Sequence, residues 1–333
     1  MEKFEMLALS RADVKQLVSM PRAIDLVTGA FRDLSAGQAL APLRTSLDVV
    51  PGKGTTLVMP AYVPSTKALG VKVVSVFTEN AARGLPTIAS IVSLFDHETG
   101  QPLAMMEGGY LTALRTGAVS GAASRLLARE ESSVLVVIGA GAQAATQAAA
   151  VCAVRPIERV IIVGRSQERL DRFRRGIAED WPKLSDRLET SLDVSAAVRI
   201  ADIICTATTS DTPVFTDADV QPGTHINGVG SFTPHMQEVP AHTVVRAIVV
   251  VDQMEPALEE AGDLIVPLNE GIIGRNHFSR ELGQLAGGLV TGRTSDHDIT
   301  FFKSVGNAVQ DMAVGRFAFD EAVQRGVGQT VTL

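Results

Sequence analysis

The spacing of apolar residues divides the chain into two regions with different predicted architecture. From about residue 10 to residue 36, apolar side chains recur every three or four positions, which predicts a helix. From Arg44 to Phe95, short β-rich runs are separated by Pro, Gly and Asn, which predicts a sheet. Its strands are predicted at 56–59, 69–77 and 87–95, and a helix follows from about 107 to 128.

The second region begins at Ser133 and alternates short apolar runs with helical patterns. Strands are predicted at 134–138, 159–163, 201–205, 225–229 and 247–251, with helices at 143–154 and 168–177. Such alternation is typical of an α/β fold with a parallel, doubly wound sheet. A last strand at 299–302 and a helix from about 306 to 323 are expected to return the chain to the first region. We therefore predict two domains, residues 1–128 together with 307–333, and residues 129–306.

Composition narrows the class of protein. Hydrophobic residues make up 46% and charged residues 20% of the 333 positions, which supports a globular core. The formal net charge is -7 and no basic block offsets it, so nucleic-acid binding is disfavoured. The two cysteines, Cys152 and Cys205, stand in apolar runs. They exclude a disulfide framework, which favours a reducing, cytoplasmic location.

One uncharged stretch, residues 134–154, is long enough to resemble a membrane-spanning helix. Gly139 and Gly141 interrupt this stretch, so the preferred interpretation is a strand, a turn and a helix. We therefore expect no membrane partner.

A glycine motif follows the first strand of the second region. Gly139, Gly141 and Ala144 form a G-x-G-x-x-A pattern that opens a helix. Gly139 permits the tight turn, Gly141 lets the backbone approach a pyrophosphate, and Ala144 allows close helix–strand packing. The amides and the positive dipole end of the helix then favour phosphate binding. The alternative is a packing turn in a non-binding domain, but the order of strand, motif, helix and strand favours a dinucleotide site.

The end of the second strand bears on which dinucleotide binds. NAD sites commonly place a carboxylate there for the ribose 2′-hydroxyl, whereas an arginine suits the 2′-phosphate of NADP. Gly164 occupies the carboxylate position and Arg165 follows it. We therefore predict a preference for NADPH, with NADH as the alternative, although a solvated loop arginine would give the same pattern.

Three cations stand in apolar surroundings. Lys72 lies in a strand-like run, Arg115 in a helical one, and Arg44 just after Pro42. Cations that converge on one cleft bind a substrate carboxylate and orient it for hydride transfer. Taken singly, each is equally well a surface or ion-pairing cation. No histidine or cysteine spacing suits a metal and no G-x-S-x-G motif occurs, so neither a metal site nor a serine nucleophile is expected.

Six short blocks, in order along nearly the whole chain, resemble the ornithine cyclodeaminase/mu-crystallin family. They are TLVMP at 56–60, GVKVV at 70–74, GLPT at 84–87, LRTGA at 114–118, GAGAQA at 139–144 and FKSVG at 302–306. The family includes cyclodeaminases, alanine dehydrogenases, ketimine reductases, Δ1-pyrroline-2-carboxylate reductases, and crystallins that bind NADPH and thyroid hormone. The resemblance implies a Rossmann domain plus an α+β domain, built from both chain ends, that binds substrate and forms a homodimer interface.

The resemblance also assigns roles to individual residues. Arg44, Lys72 and Arg115 fall where family members hold the substrate carboxylate, so Lys72 and Arg115 are the expected catalytic residues. Met59 and Val305 are expected near the substrate. Cofactor contacts are expected from Thr87, Thr116, Gly139, Gly141, Ala142, Gln143, Arg165, Ser166, Thr208 and Ser304.

One departure from the family pattern narrows the reaction. Cyclodeaminases carry a catalytic aspartate in a G-x-D-x-P context, and with Pro234 and Glu238 aligned, Phe232 stands in its place. Cyclisation with loss of ammonia needs acid–base steps at nitrogen that an aromatic ring cannot perform. The stretch around Phe232 and the FKSVG block look more like the cyclic-imine reductases.

We therefore expect an NAD(P)H-dependent reductase of a cyclic ketimine carboxylate. The expected reaction converts Δ1-pyrroline-2-carboxylate to L-proline, with the six-membered Δ1-piperideine-2-carboxylate as a further substrate. Lys72 or an ordered water is expected to relay the proton. Three alternatives remain: an amino-acid dehydrogenase acting on pyruvate and ammonia, an ornithine cyclodeaminase, which Phe232 disfavours, and a non-enzymatic NADPH-dependent ligand carrier.

Overall fold

The computed structural model describes residues 4–50 and 52–332 and divides the chain into two compact units. Unit 1 comprises Met1–Arg115 and Asn307–Leu333, and unit 2 comprises Thr116–Gly306. The first division between the units falls between Arg115 and Thr116, inside the helix Gly108–Leu127. The predicted domain boundary, after residue 128, lies at the end of that helix. Residues 1–3, 51 and 333, which the predicted first domain includes, lie outside the described residues.

Unit 1 is built on a sheet that joins both ends of the chain. Its strands are β1 (Glu5–Leu9), β2 (Thr45–Val50), β3 (Gly54–Val63), β4 (Ala68–Phe77), β5 (Ile88–Phe95), β6 (Pro102–Glu107) and β15 (Gln329–Thr332). Its helices are α1 (Arg11–Leu17), α2 (Met20–Ser35), the start of α3 (Gly108–Leu127), and α12 (Ala308–Arg325). The strands run in the order β15-β1-β6-β5-β4-β3-β2, and only β1 and β6 pair in parallel among the described strands of this sheet.

The helix predicted from about 10 to 36 is wrong in one respect, because the structure contains two helices there. Ser10 caps α1 by accepting from the Asp13 amide, and Val18 then leaves the helical conformation. Pro21 stands in the first turn of α2, where its missing N–H costs no hydrogen bond. The apolar face of α2 continues the three- and four-residue spacing, so the pattern alone did not reveal the break.

Helix α12 packs on strands β3, β4 and β5. Alternate residues of β4 point to this covered face, so Gly70, Lys72 and Val74 are buried. At Gly70 a side chain would collide with Ser93 of β5 and with Met312 of α12, so the close packing of this layer requires a glycine. Lys72 therefore occupies a position that the strand pattern otherwise gives to core residues.

Unit 2 is an eight-stranded parallel sheet with helices between its strands, within the described residues. Its strands are β7 (Val134–Ile138), β8 (Arg159–Val163), β9 (Leu188–Ser191), β10 (Ile203–Thr206), β11 (His225–Gly228), β12 (Ala247–Val251), β13 (Arg280–Glu281) and β14 (Ile299–Lys303). Its helices after α3 are α4 (Ala144–Cys152), α5 (Gln167–Asp180), α6 (Pro182–Ser185), α7 (Val194–Val198), α8 (Ala241–Arg246), α9 (Met254–Glu260), α10 (Gly262–Asn269) and α11 (Leu282–Ala286).

The strand order of unit 2 is β13-β12-β14-β11-β10-β7-β8-β9, so the direction of winding reverses between β7 and β10. Doubly wound sheets bind ligands at such a reversal, outside the carboxyl ends of the strands. The predicted Rossmann class, with a second α+β unit, is thereby confirmed. The uncharged stretch 134–154 holds β7 and α4, and among the described helices none has the length and apolarity to cross a bilayer.

A buried histidine lies in the core of unit 2. The ring nitrogens of His225 lie 2.9 Å from Thr300 Oγ1 and 3.1 Å from Asn227 Oδ1. Asn227 in turn donates to Ser124 Oγ at 2.9 Å. Burial, and then the positive charge of Arg293, lowers the pKa of His225 from 6.5 to about 3. The folded protein therefore keeps this ring neutral.

This histidine makes stability depend on pH. Below pH 6.5 the unfolded chain takes up a proton at His225 that the folded chain does not bind until about pH 3. Its contribution to the free energy of unfolding therefore falls by about 1.4 kcal/mol per pH unit as the pH decreases through this window. We expect His225→Gln, measured by urea unfolding from pH 7 to pH 4, to show a shallower decline than the parent. His242→Gln, at an exposed histidine, should keep the parent slope, and equal slopes for all three proteins would contradict the assignment.

Candidate functional site

Two cations in unit 1 share one buried carboxylate. Asp311 Oδ2 accepts a hydrogen bond from Lys72 Nζ at 2.7 Å, and Asp311 Oδ1 accepts from Arg115 Nε at 3.1 Å. The side chains of Lys72 and Asp311 are 1% and 0% exposed, and that of Arg115 is 7% exposed. The structure thus brings together the two residues expected to be catalytic and adds a carboxylate between them.

Three separate elements bring these groups to one place. Lys72 is on the covered face of β4, Arg115 is on α3, and Asp311 is in the first turn of α12. Asn307 fixes the start of α12 through a capping box with Gln310, so that the first turn has a defined orientation. The covered face of the sheet and the capped turn together determine where Asp311 lies.

Gln310 is a second residue of α12 that contacts the cluster. Its Oε1 accepts from Arg115 Nη1 and also from the Asn307 amide at 3.1 Å, so the orientation of its side-chain amide is determined. Gln310 Nε2 is buried, and no hydrogen-bond acceptor for it lies among the described residues. A buried donor without a partner is costly, which makes this nitrogen available to a ligand.

The electrostatic balance of the cluster alters the titration of Lys72. Burial and the neighbouring charge of Arg115 lower the pKa of Lys72 from 10.5 to about 8, against the opposing effect of Asp311. Arg44 lowers it further. One carboxylate cannot neutralise both cations, so the cluster keeps a positive charge that a substrate carboxylate can meet.

The other predicted substrate residues of unit 1 lie around Lys72. Met59 on β3 pairs directly with Lys72 in the antiparallel register and is 4% exposed. Arg44 is half-buried one residue before β2, and its charge reaches Lys72. Thr87, the predicted cofactor residue of unit 1, is exposed just before β5. Asp311 and Gln310 were missed by the sequence analysis, although polar residues among buried Val309, Met312 and Ala313 were a signal that could have found them.

The predicted glycine turn of unit 2 lies at the reversal point of the sheet. Gly139 has φ +112°, and a side chain there would meet the Ala207 carbonyl oxygen at 2.6 Å. The position therefore requires glycine for conformation and for space. Around Gly141, in contrast, no atom of the described chain lies near the place of a side chain. The turn is therefore packed against protein at Gly139 and has unoccupied space beside it at Gly141.

The start of helix α4 fits a bound dinucleotide. Gln143 occupies the N-cap position without a side-chain cap, and its Oε1 is buried with no partner among the described atoms. Ala142 is exposed beside it. An uncapped helix start behind an open glycine turn suits a pyrophosphate, which would accept from amides that no side chain covers. The residues present therefore fit the predicted cofactor.

Of the remaining predicted cofactor residues of unit 2, Thr116 lies within α3, and the others lie on loops or at a helix start. Arg165 is exposed after β8, and Ser166 caps α5 by accepting from the Arg169 amide. Gln147 Nε2 donates to the Thr116 carbonyl at 3.2 Å, which ties α3 to α4. Thr208 follows β10 and approaches Gly139.

The loop after β14 carries the last two predicted residues. Ser304 Oγ and the amides of Val305 and Gly306 all donate to Asp252 Oδ2, at distances from 2.8 to 2.9 Å. Burial raises the pKa of Asp252, and these donors oppose that rise. Ser304 and Val305 are both buried, and Asp252 fixes the Ser304 hydroxyl and the backbone of Val305 and Gly306.

Comparison with known proteins identifies the family. A model of the Ornithine cyclodeaminase/mu-crystallin family matches residues 4–326. The chain belongs to this family. It is 44% identical over 327 residues to a Delta(1)-pyrroline-2-carboxylate reductase of Bacillus cereus, covering 98% of this chain and 99% of that protein. The resemblance inferred from the six sequence blocks is confirmed.

Two solved structures extend the comparison. The Delta(1)-pyrroline-2-carboxylate reductase of Thermococcus litoralis, solved with NADH and L-proline, is 40% identical with a TM-score of 0.93, over 98% of this chain and 100% of that one. An archaeal alanine dehydrogenase dimer with bound NAD is 34% identical with a TM-score of 0.90, over 98% and 99% of the two chains.

The Lys72 cluster allows a direct test of its charge balance. We expect NMR titration of the Lys72 side chain to give a midpoint near pH 8, because burial and Arg115 outweigh Asp311. In Asp311→Asn the midpoint should fall further, since the one group that favours the charged lysine is removed. The control is Asp33→Asn on helix α2, which removes a buried carboxylate that accepts a hydrogen bond from Ser65. This variant should leave the midpoint unchanged. An ordinary lysine titration in the parent would refute the arrangement.

Proposed function

We propose that this protein is an NAD(P)H-dependent reductase that converts Δ1-pyrroline-2-carboxylate to L-proline. The observation that carries the proposal is the buried cluster of Lys72, Arg115 and Asp311. It offers residual positive charge and a lysine whose pKa is lowered to about 8. The names of the 44% identical Bacillus cereus relative and the 40% identical Thermococcus litoralis structure agree with this reaction.

The substrate carboxylate is bound by the cations of unit 1. Arg115 donates from Nε to Asp311 and from Nη1 to Gln310, which fixes the plane of its guanidinium. Lys72 uses one of its protons on Asp311 and has others for a ligand. Arg44 adds a third cation, and Gln310 Nε2 adds a neutral donor. Together these groups orient the ring so that its imine carbon has one defined position.

Reduction of the imine adds a hydride to carbon and a proton to nitrogen. A bound nicotinamide cofactor supplies the hydride. Gly139, Gly141, Ala142 and Gln143 are the residues that would hold its pyrophosphate. Lys72 holds a proton at Nζ with a pKa of about 8, so at neutral pH it is mostly charged yet close to equilibrium with its neutral form. It can therefore protonate the ring nitrogen directly or through a water.

Phe232 bears on the competing reactions. It is half-buried in unit 2, between Ser231 and Thr233, where the cyclodeaminase pattern has an acid–base carboxylate. A substrate that is already an imine needs no such group, whereas ring closure with loss of ammonia does. Amino-acid dehydrogenation is the second candidate, because the archaeal alanine dehydrogenase is 34% identical over nearly the whole chain.

A substrate panel tests the reaction. We expect NADPH oxidation with Δ1-pyrroline-2-carboxylate and none with pyruvate plus ammonia. Lys72→Met should lower kcat/KM by about 10²- to 10³-fold, because one charged group is lost from a desolvated site. Lys67→Met, at an exposed lysine just before β4, is the matched control and should retain activity. Faster turnover of pyruvate with ammonia would favour the dehydrogenase, and cofactor binding without turnover of any ketimine would favour a ligand carrier.

We also propose a preference for NADPH over NADH. Arg165 is exposed directly after β8, at the position where a cation suits a 2′-phosphate, and Gly164 leaves no carboxylate there to repel it. Gly164 has a separate packing reason, because a side chain there would meet Leu170 at 2.9 Å.

The cofactor preference is tested at Arg165. We expect Arg165→Ala to raise KM for NADPH by about tenfold or more, since a charge-assisted contact to phosphate is lost, while KM for NADH changes little. Arg175→Ala, at an exposed arginine farther along α5, should change neither value. A parent enzyme that uses NADH as efficiently as NADPH would remove the proposal.

We further propose that the protein forms a homodimer through the uncovered face of the unit 1 sheet. Val58, Val73 and Ile91 lie side by side in register across β3, β4 and β5, on the face opposite Lys72. Val58 and Ile91 are 37% and 44% exposed. Val73 between them is half-buried. An apolar row of this kind on a sheet favours burial against a second copy, and the related alanine dehydrogenase was solved as a dimer.

A further inference from the structure

A single buried carboxylate in unit 2 connects two loops. Glu238 is 0% exposed, and its two oxygens accept five hydrogen bonds. Oε1 accepts from the amide of Thr208 at 2.6 Å and from its hydroxyl at 2.8 Å. Oε2 accepts from the Thr206 hydroxyl at 2.9 Å and from the amides of Gly230 and Ser231 at 2.8 and 3.0 Å. Thr206 is the last residue of β10 and Thr208 lies in the loop that follows it, whereas Gly230 and Ser231 lie in the loop after β11.

Both loops leave the carboxyl edge of the sheet beside the glycine turn. The first follows β10 and the second follows β11, which are adjacent parallel strands. A side chain on Gly139 would touch the Ala207 carbonyl and Thr208 Cγ2, so the first loop packs directly on the turn. A side chain on Gly230 would collide with the Thr208 backbone at 2.3 Å, so the second loop packs directly on the first. The glycine turn therefore packs on the loop after β10 (the Thr208 loop), which in turn packs on the loop after β11 (the Gly230 loop).

Two further charged groups hold Glu238 in place. Asp263 Oδ1 accepts from the amides of Glu238 and Val239, at 2.6 and 2.9 Å. Lys303 Nζ lies 2.9 Å from Asp263 Oδ2 and also donates to the Ser231 carbonyl. Burial and Asp263 raise the pKa of Glu238, whereas Lys303 and the Thr208 hydrogen bonds oppose the rise. Glu238 is therefore fixed at its backbone amide as well as at its two carboxylate oxygens.

We propose that Glu238 is a positioning residue for the dinucleotide site, which joins the Thr208 and Gly230 loops behind the glycine turn and thereby sets cofactor affinity. This inference rests on the proposed NAD(P)H binding, and Glu238 itself touches only protein. A buried carboxylate is costly to desolvate, and the five donors offset that cost only while the two loops, which supply four of them, keep their native positions. Loss of the carboxylate should therefore release the surface on which the cofactor lies.

The isosteric variant Glu238→Gln isolates this role. Its amide nitrogen must face either the Thr208 amide or the amides of Gly230 and Ser231, because backbone N–H groups approach both oxygens. In either orientation a donor meets a donor and one loop loses its anchor. Neither orientation of the amide can satisfy both loops. The shape of the side chain is nevertheless unchanged, so the variant tests hydrogen bonding rather than packing.

Asp202→Asn provides a matched control in the same sheet. Asp202 accepts from the amides of Ser133 and Val134 and from Arg129, at distances from 2.6 to 2.9 Å. It lies at the amino ends of β7 and β10, on the edge opposite the glycine turn. This variant also removes a carboxylate that anchors backbone amides, but it leaves the proposed cofactor edge intact.

The test measures NADPH binding to the purified full-length protein by nicotinamide fluorescence, together with hydrogen exchange of the Thr208, Gly230 and Ser231 amides. We expect Glu238→Gln to raise the Kd for NADPH at least tenfold and to increase exchange at these amides. Asp202→Asn should leave both unchanged even where its Tm falls by a similar amount. Thr206→Val, which removes one hydroxyl donor and no backbone contact, should raise the Kd by a smaller factor and keeps the test open if Glu238→Gln does not fold.

The outcomes separate this inference from the proposed function. A parent protein that does not bind NADPH or NADH would remove the proposed function itself. A parent that binds, with Glu238→Gln or Thr206→Val binding equally well, would overturn the positioning role alone. An equal loss of affinity in Asp202→Asn would also overturn it, because the effect would then follow general stability.

Discussion

The hydrogen bonds that Asp311 accepts from Lys72 and Arg115 constrain the whole of unit 1. A lysine and an arginine buried against an apolar sheet are costly unless a carboxylate meets them. That carboxylate comes from a position 239 residues after Lys72 and 196 residues after Arg115. The C-terminal helix must therefore return to the first sheet, and all of unit 2 is an insertion between the two halves of this ion cluster.

Two buried carboxylates hold the candidate site loops of unit 2. In unit 2, Glu238 connects the loops after β10 and β11, and Asp252 gathers Ser304, Val305 and Gly306 after β14. Each carboxylate is buried and accepts backbone amides, so it replaces the hydrogen bonds that a strand loses where it ends. The carboxyl edge of a parallel sheet is thus held in one conformation without regular secondary structure.

Several features could be predicted from the sequence because their signals are local. Residues 134–138, 159–163 and 247–251 form strands with the predicted bounds, since each is a continuous apolar run. The glycine turn could be predicted because its spacing reflects backbone conformation, as the positive φ of Gly139 shows. The break between α1 and α2 could not be separated from a continuous helix, because the apolar spacing continues across it.

The polar partners that complete the sites could not be predicted in the same way. Asp311 stands in no motif that spacing reveals, and Glu238 belongs to a family pattern that does not indicate what the side chain contacts. The role of each depends on groups that are distant in sequence. Asp311 accepts from Lys72, which lies on β4, much earlier in the sequence. Glu238 accepts from loops that follow β10 and β11. A buried carboxylate is recognised by its donors, and those donors are known only when the fold is known.

The charge of the Lys72 cluster connects substrate binding to proton supply. An added negative charge near a lysine raises its pKa. Under the proposed function, a substrate carboxylate beside Lys72 would therefore raise a pKa that burial and Arg115 hold at about 8 in the free protein. Binding would hold on Nζ the proton that reduction of the imine consumes. The pKa of Lys72 is lowered in the free protein and raised when the substrate carboxylate binds. The lysine is therefore fully protonated when the carboxylate is in place.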